Sequence, residues 1–208
     1  MTLRGIADLY LYPNALTVVR VSGAELREWL EHSARVFAQV TPGAAGPQSL
    51  LDPRVATYNF DVIHGLTWAI DLSRPPRTDA DGRIVTPDGG RIVDLAFEGR
   101  PVAPDRPFLV VTNNYRADGG GRFPGLGSDK VAQRAPDTNR DVVMAWVAAQ
   151  SAVDLAPTRP WRFAPLGRPT TVAFDSGPAA RARLADVPGL VEIAATREGY
   201  ARFAFEVG

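Results

Sequence analysis

Residues 15–37 read ALTVVRVSGAELREWLEHSARVF, and the change of hydrophobic period inside this stretch decides the fold class. Ala15 to Val21 is rich in β-branched residues, which suit a pleated strand. From Ser22 onward the apolar residues Leu26, Trp29, Leu30, Ala34 and Phe37 fall at helical spacing. Ser22 with Glu25 three positions on forms a capping box, in which each side chain satisfies a backbone N–H at the helix start. A strand therefore runs straight into a capped helix.

Outward from that pair the signals are mixed. On the N-terminal side, Thr2 is placed to cap a short helix through Ala7, and Leu9 to Tyr12 read as extended up to Pro13, with Tyr10 and Tyr12 on one strand face. Asn14 after Pro13 suits a turn. On the other side, Thr41 to Pro53 reads as a loop, and Tyr58–Ile63 and Leu66–Leu72 as a hairpin about His64-Gly65. Arg74–Gly90 is a polar loop; Arg91–Phe97 and Phe108–Thr112 are strands, the first followed by a turn at Glu98-Gly99. A glycine-rich loop covers Asn113–Gly127, and Asp141–Gln150 is a helix with Val142, Val143, Trp146 and Val147 on one stripe. A proline-rich linker, Pro157 to Pro160, precedes strands at Thr170–Phe174 and Tyr200–Glu206 and a short helix near Ala179–Ala185. Helices and strands alternate without a strict βαβ rhythm, so the expected class is α+β, with mixed sheets and flanking helices.

Composition narrows the function. The 23 basic and 23 acidic residues cancel, so no long-range field attracts a nucleic-acid polymer. Cysteine is absent, which excludes disulfides, thiolate metal sites and cysteine nucleophiles. No run of about 18 apolar residues is present, so no membrane-spanning helix is expected. The first residues lack the pattern of a signal peptide, and a dense apolar run soon after Met1 gives the look of a domain cut from a longer protein.

Hydrolysis at a two-metal centre needs several His, Asp and Asn ligands converging on one point. The only histidines are His32 and His64, both read as solvated surface residues, so the chain itself is expected to hold no metal. No G-x-S-x-G elbow points to a serine nucleophile. The strongest feature is Asn113-Asn114-Tyr115-Arg116-Ala117-Asp118-Gly119-Gly120-Gly121-Arg122-Phe123-Pro124-Gly125. A strand ends in two amides and an aromatic, then meets three glycines that admit positive φ and close approach of backbone N–H groups. An aromatic at such a place offers a flat face to a base, although a glycine loop with Tyr115 packed beneath it would show the same pattern. Two further clusters are Tyr58-Asn59-Phe60-Asp61-Val62-Ile63-His64-Gly65, where alternation puts Tyr58, Phe60 and Val62 on one face, and Tyr10-Leu11-Tyr12-Pro13-Asn14. Phe60 reads more readily as core than as a ligand platform.

Taken in order, the segments ADLYLYPNALTVVRVSGAELREWLEHSA, YNFDVIHGLTWAID, NNYRADGGG, PDTNR (136–140) and WRFAPL (161–166) resemble the C-terminal domain of the 5′-nucleotidase family, nearest its branch of bacterial 2′,3′-cyclic-nucleotide 2′-phosphodiesterase/3′-nucleotidases. The resemblance implies a layered α+β substrate-binding domain over residues 1–208, with 157–208 a looser C-terminal extension. It implies a separate N-terminal metallophosphatase domain, absent from this chain, that carries two divalent metal ions. The full-length protein would be a periplasmic or cell-envelope hydrolase, and this chain alone inactive. Tyr12 and Tyr115 match the two tyrosines that sandwich the base in that branch, and Phe60 falls near a stacking phenylalanine of the 5′-nucleotidase branch. Asn113, Asn114 and the Gly119, Gly120 and Gly121 backbone would flank base and ribose. Gly121 stands where the 5′-nucleotidase branch has an aspartate, which weighs against 5′-nucleotide or UDP-sugar hydrolysis. The family's upstream Gly-Gly-x-Arg segment is missing. A non-catalytic interaction module that kept the fold is the competing reading.

Overall fold

The turn from strand into helix at Ser22 forms as the capping box demands. Ser22 N–H donates to Glu25 Oε2 at 2.7 Å, and Glu25 N–H donates to Ser22 Oγ at 3.2 Å. The computed structural model describes residues 5, 8, 10–79, 81–153, 158–196 and 199–208. The helix expected from Thr2 through Ala7 falls almost wholly outside them, as do Leu9 and Pro157. The class is α+β, with three sheets and few helices. The chain divides into two compact units, residues 1–29 with 102–159, and residues 30–101 with 160–208. No helix among the described residues is long and apolar enough to cross a membrane.

The first unit is built on strand β1 (Ala15–Ser22), which leads into helix α1 (Gly23–Ala34). β1 lies between β6 (Pro107–Asn113) and β7 (Val131–Thr138), antiparallel to both. The register places Leu16 beside Asn113, so the end of β6 lies against the start of β1. Thr17, Val19 and Val21 are buried on one face, while Leu109 and Val111, paired with Arg20 and Val18, face outward. A four-residue helix α2 (Asn114–Ala117) follows β6 directly. Helix α3 (Asn139–Ala148) starts on a second capping box, formed by Thr138 and Asp141.

The second unit holds two four-stranded sheets. In one, β3 (Leu66–Ile70) pairs antiparallel with β4 (Ile92–Phe97) and parallel with β8 (Trp161–Phe163). β4 turns back into the short β5 (Arg100–Pro101) through Glu98 and Gly99, both at positive φ (52° and 73°), the backbone signature of a tight hairpin turn. In the other sheet, β11 (Ala201–Val207) lies between β9 (Thr170–Ser176) and β10 (Val191–Ala195), and β2 (Gln48–Ser49) runs parallel to β9. The stretch read as a looser extension thus supplies four strands to this unit. Phe37, Phe60, Trp161 and Phe163 meet ring to ring with centroids 5.0–5.9 Å apart, mostly edge to face, the arrangement aromatic quadrupoles favour.

Buried polar groups complete the backbone of this unit. The Glu31 carboxylate accepts from the N–H groups of Arg91 and Ile92 at 2.8 and 2.9 Å. The buried Arg91 guanidinium donates in turn to the carbonyls of Ala34, Phe37 and Arg74. At Ala34 and Phe37 it thereby supplies a donor to carbonyls at and just beyond the end of α1. Burial pushes the Arg91 pKa down to about 10, opposed by the neighbouring carboxylates of Glu31, Asp71 and Asp52, so the group stays charged at neutral pH.

Two expectations are corrected. His32 is not a solvated histidine but fully buried, with Nδ1 3.0 Å from Thr78 Oγ1; the polar loop 74–90, whose position no periodicity reveals, supplies the partner. Tyr58–Ile63 forms no strand: Thr57–Asn59 is a 3₁₀ turn, and the Ser33 hydroxyl takes both backbone groups of Asp61, accepting from its N–H at 2.6 Å and donating to its carbonyl at 3.0 Å. Those groups would otherwise have joined a sheet ladder. Tyr58 is consequently exposed and Phe60 turns into the aromatic cluster. The helix expected from Asp141 forms as α3, and its apolar stripe faces water, with Trp146 55% exposed.

Candidate functional site

The hydroxyl of Tyr10 gathers three asparagine side chains from distant parts of the first unit. Asn14 Nδ2 and Asn113 Nδ2 each lie 3.0 Å from it, and Asn139 Nδ2 lies at 3.2 Å. The neighbouring backbone is fastened to the same elements. Asn139 N–H donates to the Asn14 carbonyl, and the Arg140 guanidinium donates to the carbonyls of Tyr10 and Leu11. Ala15 N–H donates to Asn114 Oδ1 at 2.9 Å. The segment 10–14, the end of β6 and the start of α3 are thus held together by one polar cluster. Tyr12 lies between the two anchored positions of its segment and is 70% exposed.

Tyr115 stands two residues after Asn113. Asn113 caps α2, its Oδ1 accepting from Arg116 N–H at 2.8 Å, while its Nδ2 serves the Tyr10 hydroxyl. Beneath the helix, the buried Arg116 guanidinium sits 3.9 Å from the centroid of Phe123 and 5.7 Å from that of Tyr115. Phe123 meets Trp29 edge to face at 6.2 Å, so the helix is seated on the apolar interior of its unit. The three glycines differ in their reasons. Gly119 and Gly121 adopt positive φ, 90° and 79°, which a side chain would strain. Gly120 is needed for space: a Cβ there would lie 2.4 Å from the Tyr115 carbonyl oxygen and 2.6 Å from its ring. The loop closes against the Tyr115 ring on that side, yet the residue remains 49% exposed. Asp118, just before the glycines, pairs with Arg134 of β7 at 2.6 Å, and that hydrogen-bonded guanidinium lowers its carboxyl pKa.

Of the residues singled out from the sequence, Tyr12, Asn113, Asn114, Tyr115, Gly119, Gly120 and Gly121 all belong to the first unit. Phe60 belongs to the second, where its ring edges meet Phe37 and Trp161. The oxygens of Asn113 and Asn114 hold backbone N–H groups of the chain itself. Tyr10, Arg116 and Asn139 lie within the quoted segments, but the sequence assigns them no role of their own. Asn139 lies in the PDTNR segment on which the resemblance rests, and Tyr10 is two residues from Tyr12. Among the described residues no group of three or more His, Cys, Asp or Glu is placed to hold a metal ion. A cleft of about 780 Å³ lies in the second unit, lined in part by Leu51, Phe174 and Ile193. Its charged groups are already paired, Arg54 with Asp52 and Arg202 with Asp175.

The model of the 5′-nucleotidase, C-terminal domain family matches residues 1–128. The chain belongs to the 5′-nucleotidase family. Among its relatives, the 2′,3′-cyclic-nucleotide 2′-phosphodiesterase/3′-nucleotidase of Salmonella typhimurium is 45% identical over 189 residues, covering 88% of this chain and 29% of that protein. The trifunctional nucleotide phosphoesterase protein YfkN of Bacillus subtilis is 40% identical over 176 residues, 85% of this chain and 12% of that protein. The chain therefore spans less than a third of the length of these relatives. In solved structures the same fold occurs in the 5′-nucleotidase precursor of Thermus thermophilus, with a TM-score of 0.57 at 20% identity over 78% of this chain and 28% of that one.

Proposed function

We propose that this 5′-nucleotidase C-terminal domain is the nucleoside-binding specificity part of a metal-dependent phosphoester hydrolase of the 2′,3′-cyclic phosphodiesterase/3′-nucleotidase kind. Tyr12 and Tyr115 stack the base between them, and the glycine loop shapes one side of the pocket. Asn114 offers its Nδ2 to base or ribose, its Oδ1 being engaged with Ala15. An N-terminal domain would hold two divalent metals and supply the activated water, and this chain alone would bind without hydrolysing. Placement of the full-length protein in the periplasm or cell envelope belongs to the same proposal.

One observation supports the reading above the rest. The two tyrosines are both exposed, and both stand on segments anchored to the Tyr10 hydroxyl. Large aromatic rings left in water on anchored backbone are suited to a ligand with a flat apolar face. Stacking on such a ring contributes about 1–3 kcal/mol per base. Calorimetric titration with adenosine and 3′-AMP should therefore show binding by the intact chain and a roughly tenfold or greater weakening in Tyr115→Ala. No binding at millimolar ligand, or equal binding by the two, would overturn the proposal, as would phosphatase activity of the purified chain.

A further inference from the structure

We infer that Tyr10 and Asn139 are positioning residues of this site: the Tyr10 hydroxyl sets the placement of the Tyr12 segment relative to the Tyr115 helix, and neither residue stacks on the ligand. The inference rests on the base-clamp reading above. Its starting point is the hydrogen-bond capacity of a phenol. A phenolic oxygen accepts up to two hydrogen bonds and has one proton to donate. Here it faces three carboxamide nitrogens, on Asn14, Asn113 and Asn139. Three donors exceed what it can accept, so one amide must present its oxygen to the phenol proton instead. Asn139 fits this role, because its Oδ1 is buried without a partner, whereas Asn113 Oδ1 already caps α2. With Asn139 turned, the hydroxyl accepts from Asn14 and Asn113 and donates to Asn139, and all three of its capacities are filled.

A centre saturated in this way fixes three pieces of chain at once. Asn14 holds the residue after the Tyr12–Pro13 bend, Asn113 holds the cap of the Tyr115 helix, and Asn139 holds the first turn of α3. Removing the single hydroxyl takes away the shared side-chain centre while leaving the ring, and the backbone ties from Asn139, Arg140 and Asn114, in place. Secondary structure does not depend on it, since β1 and β6 are laddered through seven residue pairs and α3 keeps its own capping box.

Tyr10→Phe tests this in two independent ways. In the ¹⁵N–¹H spectrum, the side-chain NH₂ signals of Asn14, Asn113 and Asn139 should all shift, with the backbone signals of α1 and the second unit unmoved. If these three signals stay where they are, the shared centre does not exist and the inference fails whatever the ligand does. In the adenosine titration, Tyr10→Phe should bind about five- to tenfold more weakly, the scale of one lost hydrogen-bonded hydroxyl. Combined with Tyr115→Ala, it should add distinctly less than it costs alone, because part of its effect passes through that ring. Asn139→Ala should reproduce the loss. Shifted amide signals with adenosine binding unchanged would overturn the positioning role and leave the base clamp standing. A loss fully additive with Tyr115→Ala, accompanied by a lowered unfolding midpoint, would mark a general structural effect and overturn it as well. Absence of binding by the intact chain would remove the clamp, and the inference with it.

Discussion

In the second unit a buried carboxylate and a buried guanidinium finish backbone hydrogen bonds that strand and helix ends leave open; in the first, an uncharged phenol gathers side-chain amides close to exposed rings. The second unit has the fuller apolar interior, with Leu66, Trp68, Ile70, Val172 and Phe203 all buried, whereas every residue of α3 is at least partly exposed. Buried charge is costly to remove singly, because its partners remain behind in a dry interior. Neutral hydrogen bonds near the surface are individually modest. The difference teaches that one unit uses polar groups to complete its fold and the other to place segments.

The largest expected effect follows for Arg91. Arg91→Met removes a donor from the carbonyls of Ala34, Phe37 and Arg74, of which Ala34 keeps the Phe37 N–H, and should lower stability by about 3–5 kcal/mol in denaturant titration. Adenosine affinity of the folded population should change little. A stable Arg91→Met chain would break the comparison at its strongest point. Next comes Gly120→Ala, whose Cβ would collide with the Tyr115 ring. Calorimetry should show adenosine binding weakened at least tenfold, roughly the loss of one stacked face, while the unfolding midpoint moves far less than for Arg91→Met. The reverse ranking would place Tyr115 in a structural role.

The smallest effect concerns the ion pair between Glu25 and Lys130, 2.6 Å apart and about 30% exposed on each side. Hydrogen bonds from Lys130 and from the Ser22 backbone hold the Glu25 carboxyl below its ordinary value of 4.5. A carboxyl lowered in the folded state stabilises the fold above its unfolded value, and that contribution disappears as pH falls below about 4.5 toward the folded value. Lys130→Met should flatten this part of the pH–stability curve slightly, and moderate salt should mask most of the change. A large shift that persists in high salt would contradict the ranking.

Much of this was legible in the chain because it is local. The Ser22–Glu25 box, the β-branched run before it and the Glu98-Gly99 turn are each set by residues a few positions apart, and all three form. What was not legible depends on partners far away in sequence. His32 reads as a surface residue until Thr78 covers it, and Tyr58–Ile63 reads as a strand until Ser33 captures Asp61. β7 went unread because VAQRAPDT alternates weakly and contains a proline, and it forms because β1 offers a free edge. At the candidate site the aromatic and glycine positions stood out by composition. The Tyr10 centre did not, since its asparagines are separated by up to 129 residues from the phenol they share.

That centre is assembled from one hydroxyl and three carboxamides, none of which carries a formal charge at neutral pH. Counterions therefore have nothing there to screen, in contrast to the Asp118–Arg134 and Glu25–Lys130 pairs of the same unit. The hydroxyl–carboxamide contacts between the Tyr12 and Tyr115 segments are therefore little touched by ionic strength, and salt can act on this frame only through the Arg140 guanidinium that also holds the Tyr10 and Leu11 carbonyls.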